Sequence, residues 1–427
     1  MSLRTPDDSV EIPSLTNMEP VLKWHNLSCE LVTPMYGGGV KSVVVDEQMP
    51  IRTSSIRGQL RFWWRLLAKH KDGFLGNEVS NSSPEKIREV EFALWGGMGS
   101  GDDEGTASQV FLRVSIQNRK PKIESWASYE PNRRGRDVLQ PKDWAEVPYA
   151  LFPAQGRSER NPNEEPHALL REGFKWNIKV AFSSQLEESS ILQVWETIRW
   201  WSNFGGVGAR TRRGLGSFKI YENDFFNSVV SIDEIKALGF NVAVKPSNNA
   251  YAAWTTAIKS LQNFRQIGQG RNDYSSRSHW PEPDAIRHYT GQSLPNHSVR
   301  KTQDNYFPRA AFGLPIIFKF KDGGSNDNQD PDVTTLKVNY RVSYNETLEF
   351  ERLMSPLILR PYLNERGSWQ AIALLLPEPL KNDSKIQLML DNIEVDFWNE
   401  ESAKEVKPIN NYNSNDPMQA FLTYFAK

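Results

Sequence analysis

Cysteine is almost absent from this sequence: Cys29 is its one thiol, and this excludes an intramolecular disulfide. Histidine is also scarce, and the six histidines are too scattered to give the ligand spacing of a structural zinc site. Carboxylates are abundant but too dispersed to single out a metal pair. We therefore expect a protein without a metal or another cofactor.

Long apolar runs are missing as well, since none approaches the ~20 residues that a membrane-spanning helix needs. Residues 1–20 are polar and contain proline, and they have neither the apolar core of a signal peptide nor an amphipathic basic pattern. We expect a flexible N-terminus there. Together with the single thiol, this predicts a cytoplasmic protein with no membrane partner.

Net charge indicates no particular partner, because 51 Lys and Arg residues face 52 Asp and Glu residues. The 427 residues, 38% of them hydrophobic, suffice for more than one core. Strand-like and helix-like segments alternate in both halves, and they include a helix predicted at 251–266 and a strand predicted at 369–376. This alternation predicts an α+β fold with domains at 21–225 and 226–427. Residues 130–168 lack sustained periodicity, and we expect a long functional insertion or loop there, in which VPYALFP (147–153) forms a short strand or an anchored turn.

The first local departure from charge balance is SSIRGQLRFWWRLLAKH at 54–70. Its apolar residues recur at intervals of three and four, which predicts a helix capped by one of its first two serines. Arg57, Arg61 and Arg65 form a second stripe, and the segment contains no acid. A helix N-terminus already carries positive potential, so this pattern is typical of a phosphate site. The alternative is a solvated face beside a Trp-anchored core.

The second departure is the glycine-rich loop FGGVGARTRRGLGSF at 204–218, which ends a predicted helix and precedes a strand. Glycine lets a backbone approach closely, and Arg210, Arg212 and Arg213 offer forked donors for phosphate oxygens. A P-loop would need a Gly-Lys pair, which the sequence lacks, and a Rossmann loop runs from strand to helix. The alternative is a helix C-cap with solvated arginines.

Four tryptophans in or beside these stretches lie on apolar helical stripes, and we expect them in the core rather than stacked on bases. They are Trp63, Trp64, Trp200 and Trp201.

A third stretch, RNDYSSRSHWPEPDAIRHYTG at 271–291, mixes cations, aromatic residues and hydroxyls. This mixture suits single-stranded RNA, which is bound through phosphates and base stacking. His279 and His288 are also residues that a ribonuclease uses as acid and base, although closeness in sequence does not establish geometry. A polar surface loop is the structural alternative.

Five motifs together resemble one family: IRTSSIRGQLRFWWR (51–65), FGGVGARTRRGLGSF (204–218), SHWPEPDAIRH (278–288), FPRAAFGLPIIF (307–318) and RLMSPLILRPY (352–362). The family is the RAMP superfamily of CRISPR-associated proteins, specifically the RAMP subunit numbered first in the Cmr complex of type III-B systems. The resemblance covers about residues 22–376 and leaves out the insertions at 130–168 and 321–331.

The resemblance implies two ferredoxin-like, RRM-like domains that carry a glycine-rich loop. It also implies a non-catalytic, RNA-binding subunit at the head of an antiviral ribonucleoprotein, near the 3′ end of the guide RNA. The implied partners are guide RNA, single-stranded target RNA and other Cmr subunits, including the backbone RAMP and the other head RAMP. Phosphate contacts position RNA without reading its sequence, which agrees with a guide-dependent complex.

The residues predicted to bind RNA come from all three stretches. They are Arg52, Ser54, Ser55, Arg57, Gly58, Arg61, Arg65, Lys69, Gly206, Gly208, Arg210, Thr211, Arg212, Arg213, Arg277, His279 and Arg287. Two alternative functions stay open. One is a RAMP endoribonuclease that processes guide precursor with His279 or His288, and the other is an architectural subunit whose basic stretches contact acidic faces of neighbouring proteins.

Overall fold

The computed structural model describes residues 22–76, 83–98, 105–117, 120–135, 137–156, 164–266, 277–297, 306–324, 326, 328–343, 346–350, 352–377 and 385–427. The predicted flexible N-terminus lies outside these residues. In the described part of the chain, neighbouring strands within each sheet run antiparallel, and helices cover the sheets. The protein is therefore a mixed α/β structure.

The first half of the chain contains nine strands and four helices among its described residues. They are β1 (His25–Leu31), β2 (Met35–Tyr36), α1 (Thr53–His70), α2 (Pro84–Trp95), β3 (Val110–Ile116), β4 (Ile123–Ser125), β5 (Ala127–Pro131), β6 (Asp137–Pro141), α3 (Pro148–Leu151), β7 (Ala168–Leu170), β8 (Lys175–Phe182), α4 (Glu188–Phe204) and β9 (Phe218–Glu222).

The second half continues this numbering over its described residues. Its elements are α5 (Ile232–Ala237), β10 (Asn241–Pro246), α6 (Ala250–Arg265), α7 (Glu282–Thr290), β11 (Ile316–Phe318), β12 (Thr334–Ser343), β13 (Glu346–Phe350), β14 (Leu357–Leu363), β15 (Trp369–Leu375), β16 (Ile386–Leu390), β17 (Ile393–Val395), α8 (Glu400–Glu405), α9 (Lys407–Asn410) and α10 (Pro417–Ala426).

The first sheet has the strand order β3-β8-β1-β9. Helix α1 follows β1, helix α4 joins β8 to β9, and the two helices pack against each other. Leu27, Cys29 and Leu31 of β1 are buried in the same core as both helices. The four tryptophans predicted for this core have at most 1% exposure, which confirms that prediction.

The second sheet, of order β10-β15-β14, is buried on both faces. One face, which includes Ile358 and Ile372, belongs to the core of the first sheet and α4. The opposite face, which includes Leu359 and Ala373, packs against α6 and α10. Successive side chains on a strand point to opposite faces, so each strand serves two cores. The core therefore continues across residue 225, where the sequence predicts a domain boundary.

A third sheet has the order β11-β12-β16-β17, with β13 beside β12. It packs with α7 around a small core that contains Ile286, Leu336 and Leu388.

The insertion predicted as a loop is more ordered than expected in its described part. It contains the hairpin β5-β6, helix α3 and a 3₁₀ turn at Phe152–Ala154. Trp144, Val147 and Leu151 lack regular spacing, but they pack in the same core as α6. Of the two expectations for this region, the anchored turn at 147–153 agrees with α3 and the 3₁₀ turn, whereas a loop without regular structure does not.

Most other predicted elements are present, with ends shifted by a few residues. The helix expected at 251–266 is α6, and the strand expected at 369–376 is β15. The surface-loop alternative for 271–291 is wrong, because the described part of that stretch contains α7. Glu282 and Asp284 in the first turn of α7 are buried. Their burial was not predicted, because acidic residues are ordinarily expected at the surface.

Candidate nucleic-acid interface

Helix α1 begins at Thr53, and Arg52 occupies its N-cap position without a side-chain cap hydrogen bond. The predicted serine cap is wrong, because Ser54 and Ser55 lie inside the first turn and are exposed. The first turn also contains no acid. The positive end of the α1 dipole is thus balanced by neither a cap nor a carboxylate of its own first turn, as suits an anion site.

Arg57 ties α1 to the ends of α2 and β3. Its Nη1 donates to Ser108 Oγ at 2.6 Å and to Trp95 O at 3.4 Å, and its Nη2 donates to Val110 O at 3.1 Å. Burial lowers the pKa of Arg57, and the neighbouring Arg61 lowers it further. These protein oxygens give Arg57 a structural role whether or not it also contacts a ligand.

Arg61 and Arg65 share one carboxylate oxygen. Arg61 Nε and Arg65 Nη1 each lie 2.6 Å from Oε1 of Glu91 on α2. Arg61 also donates to Gly96 O at 3.0 Å. The segment that contains no acid in sequence therefore receives one from the next helix. The Arg65 side chain keeps 49% of its surface exposed, so it is the member of the stripe most open to a ligand.

The glycine-rich loop packs tightly against the segment after β1. Gly216 N donates to Pro34 O at 2.8 Å. Gly208 has φ of 76°, and a Cβ there would lie 2.6 Å from Tyr36 O. A Cβ at Gly216 would lie 1.8 Å from Val207 O. Backbone contacts therefore require glycine at these two positions, independently of any ligand.

The middle of the loop forms a 3₁₀ turn at Thr211–Arg213, and Arg210 before it has φ of 58°. This left-handed conformation is uncommon for a residue with a side chain. Gly206 at the start of the loop packs closely against the turn, because a Cβ there would lie 2.9 Å from Cγ2 of Thr211.

The next two arginines of the loop contact the second half of the chain. Arg212 donates to Ser355 O and lies 5.4 Å from the centre of the Phe62 ring on α1. Arg213 donates to Leu357 O at 2.9 Å and to Phe312 O at 3.2 Å. Burial lowers the pKa of Arg213 to about 9, so the guanidinium stays charged at neutral pH.

Arg360 is a residue of this region that sequence reasoning missed. It is 2% exposed on β14, and its guanidinium donates to Gly205 O, to Ser202 O at 3.1 Å and to Phe218 O at 3.2 Å. Burial lowers its pKa to about 9. The carbonyls of Ser202 and Gly205 lie at the C-terminal end of α4, where a cation is favourable. The available signal was a lone arginine within the apolar strand LILRPY.

The third predicted stretch forms a buried ion network. Arg277 lies 2.8 Å from Asp284, which Arg287 also contacts at 3.0 Å. Arg287 Nε lies 2.8 Å from Asp330, and His297 Nδ1 lies 2.7 Å from the same carboxylate. Burial alone would raise the pKa of Asp330, but hydrogen bonds from Arg287 and His297 hold it at about 2. Arg277 and Arg287 thus have carboxylate partners within the protein.

The two histidines proposed for cleavage lie at opposite ends of α7. His279 precedes the helix, whereas His288 lies in its last turn. A helix of this length is about 13 Å long. The structure therefore does not bring these imidazoles together around one phosphate.

Two ring contacts join the glycine-rich loop to α1: Arg212 lies over the Phe62 ring, and the rings of Phe204 and Trp63 are 6.2 Å apart between their centres. Five predicted residues on α1 are exposed: Ser54, Ser55, Gly58, Arg65 and Lys69.

Within the described ranges, no helix has the length and apolarity to cross a membrane. Over the same ranges, no group of three or more His, Cys, Asp and Glu side chains could hold a metal ion.

Sequence comparison with known families gives a match that includes both basic stretches of the first half. The signature of the RAMP superfamily extends over residues 28–219. This part of the chain is similar in sequence to the RAMP superfamily. This RAMP segment runs from β1 to the start of β9, so it contains the first sheet, α1 and the glycine-rich loop.

Individual relatives carry names from one CRISPR system. The CRISPR system Cmr subunit Cmr1-2 of Pyrococcus furiosus is 26% identical over 200 residues, which are 45% of this chain and 91% of that protein. The crystal structure of Cmr1 from Pyrococcus furiosus in its apo form is 18% identical, with 87% of this chain and 94% of that chain covered and a TM-score of 0.45. A chain of the cryo-EM structure of the type III-B Cmr-beta complex bound to cognate target RNA is 11% identical, with coverage of 95% and 100% and a TM-score of 0.48.

Proposed function

We propose that this protein is an RNA-binding, non-catalytic subunit of a type III-B CRISPR interference ribonucleoprotein. The observation that carries the proposal is that one RAMP segment, residues 28–219, contains both the uncapped positive end of α1 and the arginine-bearing glycine loop. The name of the relative, a Cmr subunit, supports the choice of complex. Its partners would be guide RNA, target RNA and other Cmr subunits.

We also propose that the chain contains two ferredoxin-like units. The order β1-α1-β3-β8-α4-β9, with strands arranged β3-β8-β1-β9, supports the first unit. The order β10-α6-β14-β15-α10 follows the same succession in the second half, without a fourth strand in the described sheet. The sheet shared between two cores would then be the second unit.

The exposed residues on α1 offer a surface that a polymer backbone can approach. A Cβ at Gly58 would meet nothing within 4 Å, so packing does not require glycine there. Glycine inside a helix costs about 1 kcal/mol relative to alanine. Close approach of an RNA backbone would account for glycine at this position, with Ser54 and Ser55 on the same side of the helix and Arg65 and Lys69 further along it.

Ultraviolet crosslinking followed by peptide mass spectrometry on the assembled complex tests the proposal. We expect RNA-crosslinked peptides from 54–69 and 210–213, and none from the exposed β14–β15 turn that carries Arg366, which serves as the internal control. Crosslinks that require target RNA would indicate target capture, and crosslinks with guide RNA alone would place the subunit at the guide end. Crosslinks from 210–213 only to other proteins would refute the RNA role in favour of an architectural one.

A further inference from the structure

Several arginines, some of them from the glycine-rich loop and some from outside the predicted stretches, surround Tyr149, which lies on α3 in the insertion. Arg265, the last residue of α6, donates from Nη1 to Tyr149 Oη at 2.8 Å. The guanidinium carbon of Arg265 lies 5.0 Å from the centre of the Phe312 ring. Arg213 of the glycine-rich loop also contacts Phe312, since its Nη2 donates to Phe312 O at 3.2 Å. Four separate parts of the chain thus meet at this point: α3, the end of α6, the glycine-rich loop and the segment that contains Phe312.

Three further arginines lie within electrostatic range of the same tyrosine or of each other. Arg210 interacts with Tyr149 and with Arg352, and Arg309 interacts with Tyr149 and with Arg265. The arginine cluster is defined here as Tyr149 together with Arg210, Arg213, Arg265, Arg309 and Arg352.

Among the described residues, the arginine cluster has more positive charge than its neighbouring carboxylates balance. Arg309 Nε lies 3.0 Å from Glu282, which is fully buried. The other four arginines have no salt bridge to a carboxylate within the described part of the chain. Glu164 lies near Tyr36 at the edge of the cluster, but it contacts His167 at 3.0 Å. Five guanidinium groups therefore face one paired carboxylate, an arrangement that calls for an external anion.

Two donors of the cluster are buried and find no acceptor among the residues that the structure describes. They are the Nε atoms of Arg210 and Arg265. A buried charged donor without a partner is costly, and native structures provide one in most cases. Arg352 is exposed, so the cluster opens to solvent on that side. The uncommon φ of 58° at Arg210 adds strain at the same place, which is typical of a functional site.

We propose that the arginine cluster is a binding site for a phosphodiester group of single-stranded RNA, with Arg210, Arg265 and Arg352 as the ligand contacts. Arg213 and Arg309 hold the positive potential beneath them, since protein oxygens already take up donors of both. Tyr149 fixes the orientation of Arg265 through its hydroxyl group. This inference rests on the proposed RNA-binding function and gives that function a site outside the basic helix.

The chemistry of the guanidinium groups in the arginine cluster favours phosphate over other anions. A guanidinium presents two parallel N–H groups that match two oxygens of a phosphate, and the match is better than for a small spherical ion. A polymer is favoured over a free anion because Arg212, two residues from Arg210, lies over Phe62 of α1. The cluster is thus connected through the glycine loop to the exposed surface of α1, which a continuous strand can follow.

Fluorescence anisotropy with a labelled single-stranded RNA of about 20 nucleotides tests the site on the full-length chain. The variants are Arg265→Gln and Arg352→Gln, and the matched control is Arg366→Gln in the β14–β15 turn, which removes the same charge from an exposed position. We expect each cluster variant to weaken binding about tenfold and to reduce the salt slope by about 0.7, whereas the control changes affinity less than about twofold. Arg352 is exposed, and its side chain has no hydrogen bond to the described residues, so Arg352→Gln keeps the test valid if Arg265→Gln fails to fold.

A neutral backbone provides the second readout. With an RNA-sequence oligomer that carries methylphosphonate linkages, the difference between the unmodified protein and the cluster variants should disappear, because no phosphate charge remains to be contacted. Equal weakening by all three variants would overturn the inference and leave the proposed function intact. An absence of RNA binding by the unmodified chain would overturn the inference too, while crosslinking in the assembled complex would still decide the proposed function separately.

Discussion

Removal of Arg61 and Arg65, singly and together, should cause unequal and non-additive losses of folding free energy. Arg65→Ala should lower the free energy of unfolding by about 0.5 kcal/mol, because the Arg65 side chain is 49% exposed and Glu91 still has Arg61 as its ion-pair partner. Arg61→Ala should cost about 2 kcal/mol, since it loses the Glu91 contact and the hydrogen bond to Gly96 O. The double variant should cost about 4 kcal/mol, more than the sum, because Glu91 at 3% exposure then lacks any cation.

Equilibrium unfolding in urea, followed by circular dichroism, measures these differences through the midpoint at constant slope. Glu91→Gln in the background of the double variant provides the control, because it removes the unpaired charge and should restore about half of the loss. Equal costs for the two single variants, or a double variant no worse than Arg61→Ala, would refute the shared-carboxylate reasoning. The same variants also test RNA binding. Because Arg61 and Arg65 already have a protein partner, removal of each should reduce the salt dependence of RNA affinity by less than about 0.7 in slope.

Three further outcomes follow from buried groups. Arg360→Met should lower the free energy of unfolding by about 3 kcal/mol or more in urea titrations, because several buried carbonyl oxygens lose their donor. Gly216→Ala should abolish or strongly reduce the yield of soluble folded protein, since its Cβ would lie 1.8 Å from Val207 O. Gly239→Ala is the control, because Gly239 has a similar positive φ but open space around it. This control should lower the free energy of unfolding by only about 1 kcal/mol in a urea titration. The folded-state pKa of Asp330, about 2, lies below its ordinary value of 3.8, so its stabilising contribution is complete above pH ~4 and is lost as pH falls toward 2. Thermal melting of Asp330→Asn should accordingly show less dependence on pH in that interval than the unmodified protein, and an unchanged dependence would contradict the assignment.

Local sequence patterns were sufficient to find the helices and most of the strands that surround the candidate interface. The apolar spacing in α1 and α4 correctly identified the buried tryptophans, because helical periodicity depends only on near neighbours in sequence. Positions such as Gly208 and Gly216 were also recognisable, since a glycine-rich run after a helix indicates a tight backbone path.

The partners of the arginines could not be read from the same patterns. Glu91 lies far from Arg61 in sequence, and only the packing of α2 against α1 brings its carboxylate to that guanidinium. In the same way, Tyr149 lies in a segment without periodicity, and its contact with Arg265 depends on tertiary packing. A segment that lacks acids in sequence can therefore be neutralised in three dimensions, which local charge counting does not detect.

The second sheet also sets an order of events during synthesis. The apolar face beside α4 is complete only after β14 and β15 have been made, because both strands supply side chains to that core. At roughly 5–20 residues per second, elongation from Glu222 to Leu375, the last residue of β15, takes on the order of ten seconds. During this interval the growing chain presents an uncovered apolar surface to chaperones and to other nascent chains. The core beside α4 can therefore close only after β14 and β15 have been synthesised.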